Sequence, residues 1–368
     1  MPAESLTPRV QREVLEELAD DDYRDAAGRA QALGNALSHS QAGRLLVETG
    51  EQLHAELFAP TAACAPSDNP AEVLIIEADG ARYRTVEADK SAAASDASGD
   101  DELAREERDK GWRENKIGIV VRAVPGTTRE DGTYQPPQEL LKTYVGTVGA
   151  LEDLENDLLT EALRRGVEKA LSVVAVSDNG HGLPTMWPRL FKRLNVELFR
   201  VTDFYHCAER LSACAKIVKG EGVASKCERQ KYFRRLRTQL WNGKTKKLIA
   251  ELSAEASKRA PRPERLADLD EHPSAKTLWT HVFYFEKYKD TMDYPSYRSK
   301  GWPMGSGAIE SACGQFGERV KHNRMRWTRR AADAMHVVKA AIYSQDGRWE
   351  KRWPPPIPIL EISEAIPA

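Results

Sequence analysis

Two short apolar runs constrain the fold of this chain more than any other feature. Residues 73–76 read VLII and residues 173–176 read VVAV, and residues that favour turns follow both runs. Short runs bounded in this way and rich in β-branched side chains are typical of strands that lie buried in a sheet. We therefore predict a sheet covered by helices, with one strand ending near Asp79 and another ending at Asp178.

Further patterns around these runs indicate a mixed sheet. The other predicted strands lie at residues 81–89, 115–124, 142–149 and 196–206. Helices are predicted over residues 150–166 and 186–194, each of them between two strands. A hairpin pair followed by strand–helix–strand units predicts an α/β fold in which a mixed sheet is flanked by helices.

Helical patterns dominate both ends of the chain. The first 60 residues predict three short helices, which resemble either a helix-turn-helix module or a plain helical hairpin packed on the next domain. Helices are also predicted throughout residues 207–299, and one long helix from about Ser306 to Gln345 follows a Gly-Ser-Gly turn. The predicted domain limits are 1–66, 67–206, 207–300, 301–350 and, for a proline-rich tail, 351–368.

Charge is distributed unevenly along the chain. The formal net charge is only −2, yet residues 183–248 contain 16 Lys or Arg against 5 Asp or Glu. This basic part suits a polyanionic partner, whereas the acidic run of residues 89–110 is typical of a flexible loop.

The cysteines and the apolar runs favour a reduced compartment and no membrane. The five cysteines are Cys64, Cys207, Cys214, Cys227 and Cys313. Their odd number and the lack of a CxxC pair argue against paired disulfides and a zinc ribbon. The sequence has no signal peptide pattern and no apolar stretch long enough to span a bilayer. We therefore expect a cytoplasmic protein without a membrane partner.

Three carboxylates lie at the ends of predicted elements. Asp79 and Asp178 follow strands, and Glu310 lies in the first turn of the last helix. Functional groups of α/β sheets gather at the carboxyl ends of strands, so these three converge if their elements are neighbours. Two Mg²⁺ or Mn²⁺ ions would relieve their repulsion and activate a water or a 3′-hydroxyl. Taken singly, each residue also has a structural explanation, because aspartates suit turns and an early glutamate favours the helix dipole.

Four motifs carry a resemblance to a known family. They are IIEADG with Asp79, VVAVSDNGHGLPTMW with Asp178, VTDFYHCAERL, and GSGAIESACGQFGERVKHNRMRW with Glu310. In these motifs the chain resembles the DDE-type insertion-sequence transposases of the bacterial Kra-type family, which is related to the Mutator-like transposases. The resemblance extends over about residues 7–349, and the last motif is its most specific part.

The resemblance implies an RNase H-like core with an all-helical insertion before the helix that carries Glu310. It implies that Asp79, Asp178 and Glu310 are catalytic and hold two Mg²⁺ or Mn²⁺ ions. Asp203 and His206 of the DFYH stretch resemble a D-x-x-H signature and are expected to support these ligands. The implied partners are double-stranded DNA, at the element ends and the target, and further copies of the chain in a homo-oligomer. The implied location is the bacterial cytoplasm, in association with the nucleoid.

The sequence departs from the family pattern in three places. Asp178 is followed by Asn179-Gly180-His181 where relatives have Gly-Ala. The acidic loop is longer than expected, and the N-terminal helical part is shorter than in many relatives. These departures bear on present-day mobility and on recognition of the element ends more than on the fold. His181 is also close enough in sequence to Asp178 to touch a scissile phosphate.

Basic residues follow Glu310 along the last helix and are expected to contact phosphates without reading the DNA sequence. They are Arg319, Lys321, Arg324, Arg326, Arg329 and Arg330. Trp327 lies among them and is expected to pack in the core, with base stacking as the alternative.

The predicted activity is metal-dependent cleavage of DNA at an element end, followed by attack of the freed 3′-hydroxyl on target DNA. One alternative is a nuclease of the same fold that hydrolyses DNA and gives no joined products. Another alternative is a domesticated, catalytically silent protein that binds DNA without metal-dependent chemistry.

Overall fold

The computed structural model describes residues 6–58, 73–84, 112–180, 182–321 and 327–353. These residues fall into two compact units. The first unit contains residues 6–58, 82–84, 112–113, 316–321 and 327–353, and the second contains residues 73–81, 114–180 and 182–315. The predictions for the acidic run, for Cys64 and for residues 354–368 of the tail lie outside the described residues. Within the described ranges, no helix combines the length and the apolar character needed to cross a membrane.

The helices and strands have the following bounds. The helices are α1 (Pro8–Asp20), α2 (Tyr23–Ala32), α3 (His39–Phe58), α4 (Leu151–Arg164), α5 (Leu183–Leu194), α6 (Phe204–Lys219), α7 (Lys226–Trp241), α8 (Thr245–Ser257), α9 (Pro273–Tyr288), α10 (Tyr294–Ser299), α11 (Gly307–Lys321), α12 (Arg329–Tyr343) and α13 (Arg348–Arg352). The strands are β1 (Val73–Arg84), β2 (Trp112–Val124), β3 (Thr127–Thr128), β4 (Tyr134–Gln135), β5 (Gln138–Thr147), β6 (Ser172–Ser177) and β7 (Phe199–Thr202). The three N-terminal helices and the helical character of residues 207–299 are confirmed.

Five strands form one mixed sheet in the order β5-β2-β1-β6-β7, with β1 at its centre. Strand β6 is parallel to both β1 and β7, whereas β2 is antiparallel to β5. The predicted mixed α/β fold is therefore confirmed. Strands β3 and β4 pair with each other in a separate two-stranded ribbon.

The apolar run of β1 explains why this strand is central. Leu74, Ile75 and Ile76 are at most 4% exposed, so both faces of the strand are covered. On β6, helix α5 is fixed by a hydrogen bond from Trp187 Nε1 to Ser177 Oγ of 3.2 Å. The sheet core is thus built from the two runs that the sequence marks as buried.

Strand β1 continues through Asp79 instead of ending there. The Asp-Gly pair predicts a turn and a second strand at residues 81–89, but residues 81–84 belong to β1 itself. A Cβ on Gly80 would lie 3.0 Å from Glu114 Oε1 and 3.2 Å from Asn115 O. The glycine therefore permits a close approach to β2 and does not make a turn.

The last strand of the sheet is shorter than predicted. Strand β7 ends at Thr202, so His206 belongs to the first turn of α6 and not to a strand end. The cause is Asp203, whose side chain accepts hydrogen bonds from the backbone N–H groups of Tyr205 and His206. An aspartate in this position is a preferred helix N-cap and starts a helix where the alternating pattern predicts a strand.

The predicted long helix over residues 306–345 is two helices. Helix α11 ends at Lys321, and α12 begins at Arg329. The side chain of Thr328 accepts a hydrogen bond from the backbone N–H of Ala331 (3.2 Å) and so caps the start of α12.

In the first unit, α3 and α12 pack against each other through small residues. A Cβ on Gly50 of α3 would lie 2.6 Å from both Cα and Cβ of Ala334 on α12. Leu46 and Leu53, one helical turn to either side of the glycine, are at most 3% exposed. The close packing of α3 against α12 therefore requires a glycine at position 50.

We expect the substitution Gly50→Ala to lower the free energy of unfolding by about 1–3 kcal/mol, because the added methyl group overpacks this contact. The matched control is Gly28→Ala in α2, where no neighbouring atom lies within 4 Å of the new methyl group. That change is expected to raise the stability by about 0.4–1 kcal/mol, since alanine restricts the unfolded chain. Urea unfolding of the three proteins measures both values, and a stabilising Gly50→Ala would contradict the close helix contact.

Candidate functional site

Asp79 and Asp178 lie at the same level of two parallel strands. The pairing of β1 with β6 sets Glu77 opposite Val176, and two further steps along each chain reach Asp79 and Asp178. Side chains two residues apart on a strand point to the same face. Both aspartates are half-buried. Extended by two residues past its last pair, the register sets Asp79 of β1 level with Asp178, which directly follows β6.

The loop after β6 fixes the carboxylate of Asp178. The backbone N–H of Gly180 donates to Asp178 Oδ1 (2.7 Å), and a Cβ on Gly180 would lie 3.1 Å from both carboxylate oxygens. Asn179 adopts a left-handed φ of 67°, and its amide donates to Thr202 Oγ1 (2.8 Å). Asn179 and Gly180, two of the three residues that differ from the family pattern, thus fix the conformation of this loop. His181 lies outside the described residues.

The helical segment also reaches Asp178. The hydroxyl of Tyr284 on α9 donates to the backbone carbonyl of Asp178 (3.0 Å). Burial raises the pKa of Tyr284, which keeps the hydroxyl protonated as a donor. The aromatic pattern of α9 predicts a buried core position but gives no sign of this contact with the loop.

Asp203 joins the end of β7 to the start of α11. Its side chain is buried, and Oδ1 accepts the N–H groups of Tyr205 (2.5 Å) and His206 (3.0 Å). Its second oxygen, Oδ2, accepts the backbone N–H of Ser306 (2.8 Å) and the hydroxyl of the same residue. Ser306 directly precedes the helix that carries Glu310. Asp203 therefore organises backbone beside the predicted ligands and uses both of its oxygens to do so.

Glu77 is a buried carboxyl in the site that the sequence analysis missed. Its Oε2 accepts the backbone N–H of Ile309 (3.0 Å), which immediately precedes Glu310. Burial, together with the charge of Asp203, raises the pKa of Glu77 to about 8, although the N–H of Ile309 acts in the opposite direction. The available signal was a lone acid within the apolar run of β1. Because Asp79 follows two residues later, this bond sets Glu310 relative to Asp79.

Glu310 is exposed in the first turn of α11, as predicted. Its pKa is raised by partial desolvation and then by the negative charges of Asp203, Glu209 and Asp79, whereas His206 lowers it. Electrostatic effects of this kind require short separations. The hydrogen bonds of Ile309 to Glu77 and of Ser306 to Asp203 place the start of α11 beside β1 and the end of β7, where the charges of Asp79 and Asp203 act on Glu310.

The donor chemistry of the three predicted ligands fits Mg²⁺ or Mn²⁺. Carboxylate oxygens are the donors that these hard ions take, and the raised pKa of Glu310 indicates negative charge that a cation would neutralise. The described residues contain no group of three His, Cys, Asp or Glu side chains arranged to hold a metal ion. Asp79, Asp178 and Glu310 thus have suitable donor atoms but do not form a three-residue metal site in this structure.

His206 lies beside this region on α6. Its Nδ1 is 3.9 Å from Glu209 Oε2, and its side chain is 28% exposed. Its Nε2 is buried and has no hydrogen-bond partner among the described residues. The imidazole is therefore near Glu310, and its Nε2 forms no hydrogen bond among the described residues.

Arg319 is buried, whereas the sequence predicts that it points to solvent and contacts a phosphate. It is 2% exposed, and its Nε donates to the backbone carbonyl of Leu18 (2.7 Å). Its guanidinium lies 4.7 Å from the ring centroid of Trp327 and 5.8 Å from that of Tyr23. This buried environment corrects the prediction that Arg319 contacts a phosphate. Trp327 is 1% exposed, which confirms its expected core packing.

The remaining predicted phosphate contacts divide into two groups. Arg329 and Arg330 are exposed, and Arg330 forms a two-pronged ion pair with Glu51 (2.5 and 2.7 Å). A phosphate at Arg330 would therefore compete with an existing carboxylate. Arg324, Arg326 and the side chain of Lys321 lie outside the described residues, so their role stays a prediction.

We expect the substitution Glu77→Gln to change how stability depends on pH. The folded pKa of Glu77 is about 8, above the ordinary value of 4.5. Its contribution to stability is therefore complete below about pH 4.5 and is lost as the pH rises through about 8. Glutamine remains neutral and still accepts the N–H of Ile309. The free energy of unfolding of the variant, relative to that of the wild type, should thus rise by about 1–3 kcal/mol between pH 5 and pH 9.

Urea unfolding at several pH values, with a chelator present, measures this difference. The matched control is Glu130→Gln in an exposed turn, which is expected to leave the pH dependence unchanged. A Glu77→Gln difference that is constant from pH 5 to pH 9 would show that the buried carboxyl is not protonated in the folded protein.

Comparisons with known proteins place few limits on the chain. No protein-family profile matches it, and no curated protein matches it. Among solved structures, it is similar to the Drosophila P element transposase strand transfer complex, with 10% sequence identity and a TM-score of 0.39 over 91% of this chain and 92% of that chain. A similarity at this level establishes neither a shared family nor a shared function.

Proposed function

We propose that the chain is a DDE-type insertion-sequence transposase, which cleaves and joins DNA with Asp79, Asp178 and Glu310. The observation that carries the proposal is the hydrogen bond from the N–H of Ile309 to Glu77, which sets Glu310 beside the strand that carries Asp79 although the two are far apart in sequence. The position of Asp178 directly after β6, the parallel neighbour of β1, supports it. The motifs that resemble the transposase family contain these same three residues.

The architecture supports an RNase H-like core as part of this proposal. The first strand of the chain is central, two parallel strands lie on one side of it, and an antiparallel pair completes the sheet on the other. Five helices, α6 to α10, stand between β7 and α11 in the described residues. The family resemblance implies a helical insertion at this point.

In the proposed mechanism, the carboxylates of Asp79, Asp178 and Glu310 would hold two Mg²⁺ or Mn²⁺ ions. Such ions activate an attacking water or 3′-hydroxyl and stabilise the leaving oxygen of a phosphodiester when they are bound. The chain's own contribution is to fix the carboxylates. Gly180 orients Asp178 through its N–H group, and Glu77 orients the first turn of α11 through Ile309.

The charges around Glu310 suit this role. Asp203, Glu209 and Asp79 raise the pKa of Glu310, so the site is electrostatically unfavourable until positive charge enters it. Both oxygens of Asp203 are occupied by backbone and hydroxyl donors, so Asp203 positions the site and does not supply a ligand. DNA binding by the N-terminal helices and assembly of several copies on two DNA ends belong to the same proposal.

We expect the substitution Asp178→Asn to abolish metal-dependent DNA cleavage. The substrate is a supercoiled plasmid that carries this gene with its natural flanking DNA, incubated with Mg²⁺ or Mn²⁺. A change in the groups around metal ligands already costs about 10–100-fold, so loss of a ligand is expected to lower nicking at least about 100-fold. Products are resolved on denaturing and native gels.

The matched control is Asp131→Asn, because Asp131 also accepts a backbone N–H two residues later (Thr133, 2.8 Å) but lies in an exposed turn. It should retain full activity. Nicking without joined products would favour the nuclease alternative. DNA binding with equal, metal-independent behaviour of all three proteins would favour the silent DNA-binding alternative and overturn the proposal.

A further inference from the structure

A cluster of basic side chains lies around the ring of Tyr284, whose hydroxyl reaches the loop after β6. The hydroxyl of Tyr284 contacts the backbone of Asp178, and the guanidinium of Arg210 lies 3.8 Å from the centroid of the same ring. The ring of His206 is 6.4 Å from that of Tyr284. Tyr284 therefore links these basic groups to the loop that carries Asp178.

Arg210 has no carboxylate partner among the described residues. Its guanidinium packs on the aromatic ring of Tyr284, and its Nε is buried without a hydrogen-bond partner in the described ranges. Arg262 provides a contrast, because it also lies over a ring, that of Phe283, yet it forms two hydrogen bonds of 2.8 Å with Glu286. A partly buried cation without a counter-ion is unfavourable unless a ligand supplies the negative charge.

Two histidines beside Arg210 also have unused nitrogens. His206 Nε2 and His281 Nδ1 are buried and have no hydrogen-bond partner in the part of the chain that the structure describes. Burial, followed by the positive charges of Arg210 and His206, lowers the pKa of His281 to about 4. Three basic side chains from α6 and α9 thus lie close enough to affect one another, and the nearby carboxylate of Glu209 is 3.9 Å from His206 Nδ1.

We propose that Arg210, His206 and His281 bind a backbone phosphate of the DNA strand that is processed next to Asp178. This inference rests on the proposed function. His206 and Arg210 lie in the VTDFYHCAERL motif, whereas His281 lies in none of the four motifs, and none of the three has been assigned a phosphate contact above. A guanidinium matches two phosphate oxygens with paired donors, and a tyrosine ring beneath it keeps its plane in position. The proposed ligands Asp79, Asp178 and Glu310 would then act on the reacting phosphate, and this basic cluster would hold the neighbouring phosphate of the same strand.

The test measures DNA binding without catalysis. A fluorescein-labelled 20-base-pair duplex is titrated with wild-type protein, Arg210→Gln and Arg262→Gln in EDTA at several salt concentrations. Loss of one phosphate contact is expected to reduce the slope of log K against log salt by about 0.9 and the affinity by about 3–10-fold. Arg262→Gln, which removes an arginine that already has a carboxylate partner, should leave the slope unchanged.

Each outcome decides between the two proposals. A slope reduced only in Arg210→Gln, and restored in Arg210→Lys, supports the phosphate site. Equal slopes in wild type, Arg210→Gln and Arg262→Gln would overturn the site while leaving the proposed function intact. No DNA binding by the wild type at low salt would overturn both.

A second measurement uses only the wild-type protein and therefore does not depend on whether the Arg210 variants fold. Histidine resonances of the wild-type protein are followed by NMR while the same duplex is added. His206 and His281 are expected to shift at the concentration that saturates binding, and the exposed His272 of the α9 N-terminus is the control. Unchanged signals from both His206 and His281 at saturation would overturn the site.

Discussion

Two buried carboxyls at the start of one helix organise the centre of the second unit. Glu77 accepts the N–H of Ile309, and Asp203 accepts the N–H and the hydroxyl of Ser306. The first turn of α11 is thereby tied to β1 and to the end of β7 at once. The unsatisfied N–H groups and partial positive charge of a helix N-terminus make this a favourable place for acidic groups. The position of Glu310 follows from these bonds, because it is the next residue along the helix.

The apolar runs predict the two strands β1 and β6 of the sheet but not the continuation of β1 through Asp79. A strand covered on both faces must be apolar on both, and VLII and VVAV have this property. The two strands that contain them, β1 and β6, are neighbours in the sheet. The Gly-Ser-Gly turn predicts the start of α11 and so the place of Glu310 in its first turn. Patterns of this kind reveal elements because they reflect local geometry and burial along one stretch of chain.

The features that escaped prediction depend on contacts between distant stretches. Glu77 looks like an interruption of an apolar run until its partner Ile309 is known. Arg319 looks like a surface cation until the carbonyl of Leu18 and the ring of Trp327 surround it. The Asp79-Gly80 pair has the composition of a turn, yet the neighbouring strand uses the small residue for packing. In each case the competing reading was locally reasonable, and a long-range contact decided against it.

The bond from the Tyr284 hydroxyl to the carbonyl of Asp178 has a consequence for how the chain can vary. Its acceptor is backbone, so no side-chain exchange at residue 178 removes it, whereas any change in the path of α9 does. The helices between β7 and α11 are consequently a structural support of the β6 loop and not a detachable insert. Insertions and deletions in that segment should be tolerated in the connections between its helices, and shortening that displaces α9 should not be.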